Sequence, residues 1–465
     1  MRNILEAFAN QTIDQCLFDC KIWDGDMIIC EGMGRLHFAA NAELAHVEVI
    51  GPNNDYIGIL VGLLQPKFSA FKFEAVEPSG CQISAKVRQI QCDTYHARTN
   101  RRTWRFSPEE IVLQQEALLP DTARVDKIPT HIESLVYDLR APIFYENSET
   151  KTTGFQESIG IRRDWTRFTF EGAEIKIGQG DGKGSKVEIV CEPESTAEQA
   201  SKILDALLQA LSMRVGGAIL PIGKLITQNG IETLTLYIGN KGRSRHLFCM
   251  APISFNHCET EDLKFLQIAT SYFFSESNSP IYFHLNESWN SELLSWRNRQ
   301  TMVGTAVEAI CSFVLKKFKP ADEWTKEVAR KQKLLDEVKE RILAEIDKIE
   351  WEPEAAEAYK RIRKGIQEVR LHFAKDSIRH AGQILAIDIT EEEIAGWARM
   401  RNAAAHGRIE KSLSRADEEK DLIGAITLLN KLTLRAIGWE GQYCDYAAKI
   451  RSKPLLSESR LNSEL

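Results

Sequence analysis

The chain reads as an α+β multidomain protein, with β-rich N-terminal lobes followed by an all-α helical bundle. Three observations carry this. Short alternating runs of β-branched and aromatic residues fill the first half, the period changes to three-and-four from about residue 288, and 465 residues exceed what one ordinary core organises. Hydrophobic residues make up 43%, as in a globular protein. Four segments are expected: a β-rich lobe over 1–125, an α+β lobe over 126–287, a helical bundle over 288–450 and a flexible tail over 451–465.

In the first lobe the strand-like runs are Met27–Cys30, Val47–Ile50, Phe71–Ala75 and Ile83–Val87. Asp24-Gly25 and the stretch from Gly51 to Asp55 are turn chemistry between them. Arg98, Arg101, Arg102 and Arg105 surround Trp104, a combination that suits a phosphate backbone with a base stacked beside it. The same cluster is also what a charged strand edge looks like. Cys16 and Cys20 have no second pair at zinc-ligand spacing, so they read as small buried hydrophobes.

The second lobe adds strands at Phe168–Phe170, Glu174–Ile177 and Thr233–Tyr237. The glycines between 178 and 184 sit between two strand-like runs, with no helix opening behind them. They therefore read as a hairpin turn rather than a phosphate loop. Ser195 with Glu198 has capping-box spacing for a helix that Gly216-Gly217 ends, and Leu263–Phe274 reads as a further helix. The stretch from about 275 to 290, with Ser275-Glu-Ser-Asn-Ser-Pro280, is the clearest linker, and His257-Cys258 reads as structural.

The bundle begins with a helix carrying Val303, Ala306, Ile310 and Val314, stopped at Lys319-Pro320. A second carries Leu335, Val338, Ile342, Ile346 and Ile349 at a spacing suited to partner helices. Tyr359, Ile362, Ile366, Val369 and Phe373 mark a third, and Ile378, Ala381 and Leu385 a fourth. Thr390 with Glu393 makes a capping box for a fifth, and Leu422 to Ala436 a sixth before Gly438.

The fifth helix carries the chemistry. Ile394, Trp397, Met400 and Ala404 form its inward face, leaving Arg401 and Asn402 to project elsewhere. Arg401 can supply positive charge through paired N–H donors, His406 a proton transfer, and Asn402 an orienting hydrogen bond. RNA brings its own nucleophile in the 2′-hydroxyl, so these groups suffice for phosphodiester cleavage without a metal. At about 100° per residue, His406 lies about 140° round the helix from Arg401. Either the chain turns at Gly407 or a second surface completes the site. A histidine in a last helical turn faces the negative end of the helix dipole, which favours its protonated form.

Arg401-Asn402-Ala-Ala-Ala-His406-Gly407 in a terminal helical bundle resembles the motif of the HEPN superfamily. The Ala-His-Gly ending behind a long β-containing region is most similar to the ApeA-like HEPN proteins of bacterial antiphage defence. The resemblance implies a metal-independent endoribonuclease of the abortive-infection type, cutting RNA such as tRNA, with two motif copies facing each other in a homodimer or larger homo-oligomer. It maps catalysis onto Arg401, Asn402 and His406, and matches Glu308 to an acidic residue carried by many relatives. Arg399 is a longer-spaced alternative start and a substrate-binding candidate.

No cofactor and no metal are expected. The N-terminal lobes are expected to sense a phage-derived activator, or RNA through the arginine cluster, and to restrain the helical site. The alternative is a non-catalytic HEPN dimer serving as an adaptor or antitoxin-like module. A net charge of −7 excludes wholesale polyanion binding and leaves only local RNA contact. Ten dispersed cysteines and no leading apolar segment point to the cytoplasm, and no run is long enough for a membrane span.

Overall fold

A computed structural model describes residues 5, 13–24, 27–38, 45–52, 71–77, 80–87, 90–96, 101–106, 108, 110–116, 129–137, 146–147, 163–179, 184–237, 251–253, 259–277, 279–291, 294–318, 322–349, 351–368, 373–406, 414–448 and 450–455. The chain divides into two compact units. One comprises 1–248 and 255–277, the other 249–254 and 278–465. The fold is α+β.

The first unit is built on one fifteen-stranded antiparallel sheet, counted over the described residues. Its strands are β1 (Ile13–Asp24), β2 (Met27–Phe38), β3 (Ala45–Pro52), β4 (Phe71–Val76), β5 (Gln82–Val87), β6 (Ile90–His96), β7 (Arg101–Phe106), β8 (Glu110–Glu116), β9 (His131–Tyr137), β10 (Glu146–Asn147), β11 (Arg163–Phe170), β12 (Ala173–Gln179), β13 (Gly184–Val190), β14 (Pro221–Gln228) and β15 (Ile231–Tyr237). The boundary expected at 125/126 does not separate units. β8 pairs with β15, setting Glu116 against Ile231 and Tyr237 against Glu110, so the two expected lobes share one sheet. Gly51 and Pro52, expected in a turn, end β3 opposite Arg102 and Arg101.

Alternation does in these strands what the pleat requires. Phe71, Phe73 and Ala75 of β4 are buried and the residues between them are not. They join Leu17, Ile22, Val49, Ile111 and Leu113 in one apolar cluster. β12 and β13 pair antiparallel with Gly178 opposite Lys186, as a hairpin requires. The residues joining them, 180–183, lie outside the described residues, as do His257 and Cys258.

Helix α1 (Ala197–Val215) buries Ile203, Leu204, Leu207, Leu208 and Leu211. Its N-cap is Thr196, whose hydroxyl accepts from Gln199 N, and not Ser195 as the spacing suggests. Two adjacent hydroxyl residues offered the same cap one register apart. Gly216 ends the helix at φ 71°, the left-handed conformation glycine adopts without strain. Arg214 pairs in bidentate fashion with Asp262 of α2 (Glu259–Ser275), at 2.7 and 2.8 Å.

The second unit holds α3 (Pro280–Asn290), α4 (Trp296–Lys317), α5 (Asp322–Ile346), α6 (Ala356–Glu368), α7 (Phe373–Leu385), α8 (Glu391–His406) and α9 (Arg415–Ala436). α3 occupies part of the expected linker, capped by the Ser279 hydroxyl with Pro280 at its start. α4, α7, α8 and α9 surround a core of Val303, Val307, Ile310, Ile378, Trp397, Leu429 and Leu432. The tail expected to be flexible from residue 451 is ordered to 455. Strand β17 (Ile450–Pro454) pairs with β16 (Gln442–Asp445), and Leu455 is buried. Segment 249–254 adds to this unit: Cys444 N donates to Pro252 O at 2.9 Å and the Tyr446 hydroxyl to Ala251 O at 2.7 Å.

α5 and α6 form an antiparallel hairpin joined by a 3-10 turn at Pro353–Ala355. Its loop end is tied by Asp347, which accepts from the Tyr359 hydroxyl at 2.6 Å and also pairs with Arg363. Lys339 Nζ reaches Gln367 O at 3.3 Å farther along. None of the described residues of either helix is buried. No helix among the described residues is long and apolar enough to cross a membrane.

Candidate functional site

The site is assembled around α8, and its first turn explains where the helix starts. The Thr390 hydroxyl accepts from Glu393 N at 3.2 Å while the Glu393 carboxylate takes Thr390 N at 2.7 Å, a reciprocal capping box. Glu391, Glu392 and Glu393 add negative charge at the positive end of the helix dipole. Each carboxylate also has a cation. Arg379 takes Glu391 through two hydrogen bonds of 2.7 and 2.8 Å, Lys420 pairs with Glu392 at 2.8 Å, and the buried Lys431 pairs with Glu393 at 2.8 Å.

Beyond the cap, Ile394, Trp397, Ala398 and Met400 are buried, as the helical spacing predicts. Trp397 Nε1 donates to Gly304 O of α4 at 3.3 Å. A Cβ on Gly304 would stand 3.3 Å from Arg401 Cγ and 3.5 Å from Met400 Cε, so glycine is what lets α4 come this close to α8. That approach brings Glu308, one turn along α4, to Arg401.

Arg401 Nε donates to Glu308 Oε1 at 2.6 Å, with the two side chains 40% and 33% exposed. The pair therefore sits at the rim of the bundle, open to solvent on one side. Engaging Nε fixes the plane of the guanidinium. Among the described residues the two Nη groups make no hydrogen bond, so they remain as donors on a part-exposed side chain. Cys311, three residues beyond Glu308, is buried, and burial followed by the Glu308 charge pushes its thiol up to about 12. It stays a neutral packing group and not a nucleophile.

Arg399, expected as a substrate-binding candidate, is engaged within the bundle. Its Nε and Nη2 donate to both oxygens of Asp421 on α9, at 2.9 and 2.6 Å. Gly396 makes room for this clamp, since a Cβ there would lie 2.9 Å from Asp421 Oδ1. Two arginines two residues apart thus fasten α8 to helices on opposite sides. Asn402 is exposed, next to Arg401.

His406 is the last residue of α8, and its side chain, like Gly407, lies outside the described residues. Helical backbone through His406 keeps its position about 140° from Arg401. A break in the helix before His406 does not occur, so one copy of this helix does not bring the arginine and the histidine to one face.

Of the N-terminal arginine cluster, residues 101–106 form β7. β7 lies between β3 and β6 and is not an edge. Arg101 is exposed, while Phe106 is buried opposite Val47. Arg98 lies outside the described residues, as do the side chains of Arg102, Trp104 and Arg105. Cys16 and Cys20 also separate: Cys16 is exposed, and Cys20 is buried with its thiol raised to about 12 by burial and then by Cys30 and Asp19. A β1 bulge between Leu17 and Cys20 shifts the phase of the strand between them. Among the described residues no group of three or more His, Cys, Asp or Glu is placed to hold a metal ion.

No protein-family model matches the chain, and neither a curated protein nor a solved structure does. Its fold and site are read from its own residues. Glu393–Lys431 and Arg399–Asp421 escaped the sequence reading because their partners lie on another helix and carry no local pattern. The positions of Gly304 and Gly396 in helix interiors were the available signal.

Proposed function

We propose that the chain is a metal-independent endoribonuclease of HEPN type, in the ApeA-like class of bacterial antiphage defence, acting as a homodimer on RNA such as tRNA. One observation carries the reading: Arg401, at the head of the Arg-Asn-x3-His run, is held through Nε by Glu308, which leaves both Nη groups of a part-exposed guanidinium without a hydrogen bond among the described residues. A carboxylate that takes Nε leaves the guanidinium charged and pre-aimed, as an electrophilic clamp on a phosphate should be. A second supporting point is the angular separation of Arg401 and His406, which suits a site shared by two copies facing one another.

In this mechanism the 2′-hydroxyl oxygen attacks the adjacent phosphorus and its proton passes to a base. The P–O5′ bond breaks and the departing oxygen takes a proton from an acid. The products are a 2′,3′-cyclic phosphate and a free 5′-hydroxyl. Arg401 neutralises charge on the pentacoordinate phosphate, His406 handles proton transfer at one of the two oxygens, and Asn402 supplies an orienting hydrogen bond. The first unit restrains the site until an infection-derived signal arrives.

The test is purified full-length protein with total RNA, followed by sequencing of cleaved ends. Wild type is expected to leave 2′,3′-cyclic phosphate ends in the presence of a chelator, and His406→Ala and Arg401→Ala to leave RNA intact with unchanged circular dichroism. Equal cleavage by His406→Ala removes this reading. Absence of cleavage by wild type under infection favours an adaptor role for the same bundle.

A further inference from the structure

The α5–α6 hairpin is a helical arm without a core of its own. Helices in water owe most of their stability to packing an apolar face. Yet Leu334 is 50% exposed, Val338 49%, Ile342 43% and Ile349 54%, and Ile362 of α6 adds another exposed apolar side chain. Leu335, Leu343 and Ile346, with Tyr359 and Ile366, form the half-buried seam between the two helices. Leu334, Val338 and Ile342 form a second stripe on α5, offset from that seam.

Composition of this stripe says what covers it. At about 100° per residue, Lys331, Leu334, Val338, Ile342 and Glu345 fall within an arc of about 80°. Their order is self-complementary under reversal about Val338: Leu334 and Ile342 are each four residues away, and Lys331 and Glu345 each seven. A second α5 laid antiparallel would set Val338 on Val338, Leu334 on Ile342 twice, and Lys331 on Glu345 twice. Charge along the helix has the same polarity. Between 326 and 333 four basic residues face one acidic, whereas between 336 and 347 five acidic face two basic. Antiparallel pairing therefore puts each basic half against an acidic half, and parallel pairing would put like on like.

We infer that the α5 stripe is an isologous docking surface for a second copy of this chain, two hairpins closing about a two-fold axis at Val338 into a four-helix bundle. The two-fold relation follows from the self-complementary order, because a patch that matches its own reverse closes on itself and does not propagate. The interface uses neither Arg401 nor His406, so it stands apart from the ribonuclease reading.

The test is sedimentation of the full-length protein across a concentration series. Wild type is expected to self-associate. Val338→Lys, which faces two ammonium groups across the axis, is expected to weaken association by about a hundredfold or more, with unchanged circular dichroism. Lys331→Glu and Glu345→Lys should each weaken it, and the double reversal should restore it. In a Cys16→Ala background, Val338→Cys should cross-link to its own copy on mild oxidation, while Lys333→Cys should not. A monomeric wild type, a dimer indifferent to Val338→Lys, or a double reversal that fails to restore association each overturns the proposal. Arg401→Ala and His406→Ala should sediment like wild type, which separates failure here from failure of the nuclease reading.

Discussion

At the scale of single residues, the decisive contact is a carboxylate against one nitrogen of a guanidinium. If Glu308 orients Arg401, then Glu308→Gln keeps an acceptor but loses charge, and Glu308→Ala loses both. Cleavage is expected to fall about tenfold for the first and about a hundredfold for the second, while stability changes by no more than about 1 kcal/mol because the pair is part-exposed. Arg401→Lys should not recover activity, since an ammonium has no fork to divide between Glu308 and a phosphate. Rates of RNA cleavage beside thermal midpoints check this, and a proportional fall in both would reassign Glu308 to folding. That Arg401 and His406 share one helix was legible in the sequence, because the motif is short and follows a readable cap. Asp421, which takes Arg399, was not: its match is set by α8 and α9 packing, which no local spacing encodes.

Among elements, α8 is the best specified by its own residues. Its cap, its acidic first turn and its apolar face agree with one another, which is why its start could be read to the residue. Thr390→Ala removes the cap acceptor and is expected to cost about 1 kcal/mol in chemical denaturation. Acid should act at the same end. The hydrogen bonds from Arg379 and from Lys420 hold the carboxyls of Glu391 and Glu392 below their ordinary value of 4.5. Groups lowered on folding stabilise above the ordinary value, and that contribution is lost as pH falls through their lowered values. Melting midpoints should therefore decline below about pH 4.5, less steeply in Arg379→Ala; parallel curves for the two proteins would count against this anchor. Strands were legible as strands because alternation is local. Their order was not, since β8 meets β15 across more than a hundred residues and alternation names no partner.

For the whole molecule, the division into two units was visible only in part. A change from two-residue to helical periodicity marked the bundle, but nothing local announces that 249–254 belongs with it. A fragment of 278–465 lacks the acceptors of Cys444 N and the Tyr446 hydroxyl, together with the buried Ala251 and Ile253. It is expected to melt several degrees below the helical unit of the full chain, about the effect of 1–3 kcal/mol. A calorimetric scan with equal midpoints would show that the segment contributes nothing. The chain crosses between its two units at 248/249, 254/255 and 277/278. A single recombination breakpoint at the first would strip α2 from the sheet unit, and one at the last would strip 249–254 from the helical unit. Neither half can thus be exchanged whole by a single crossover.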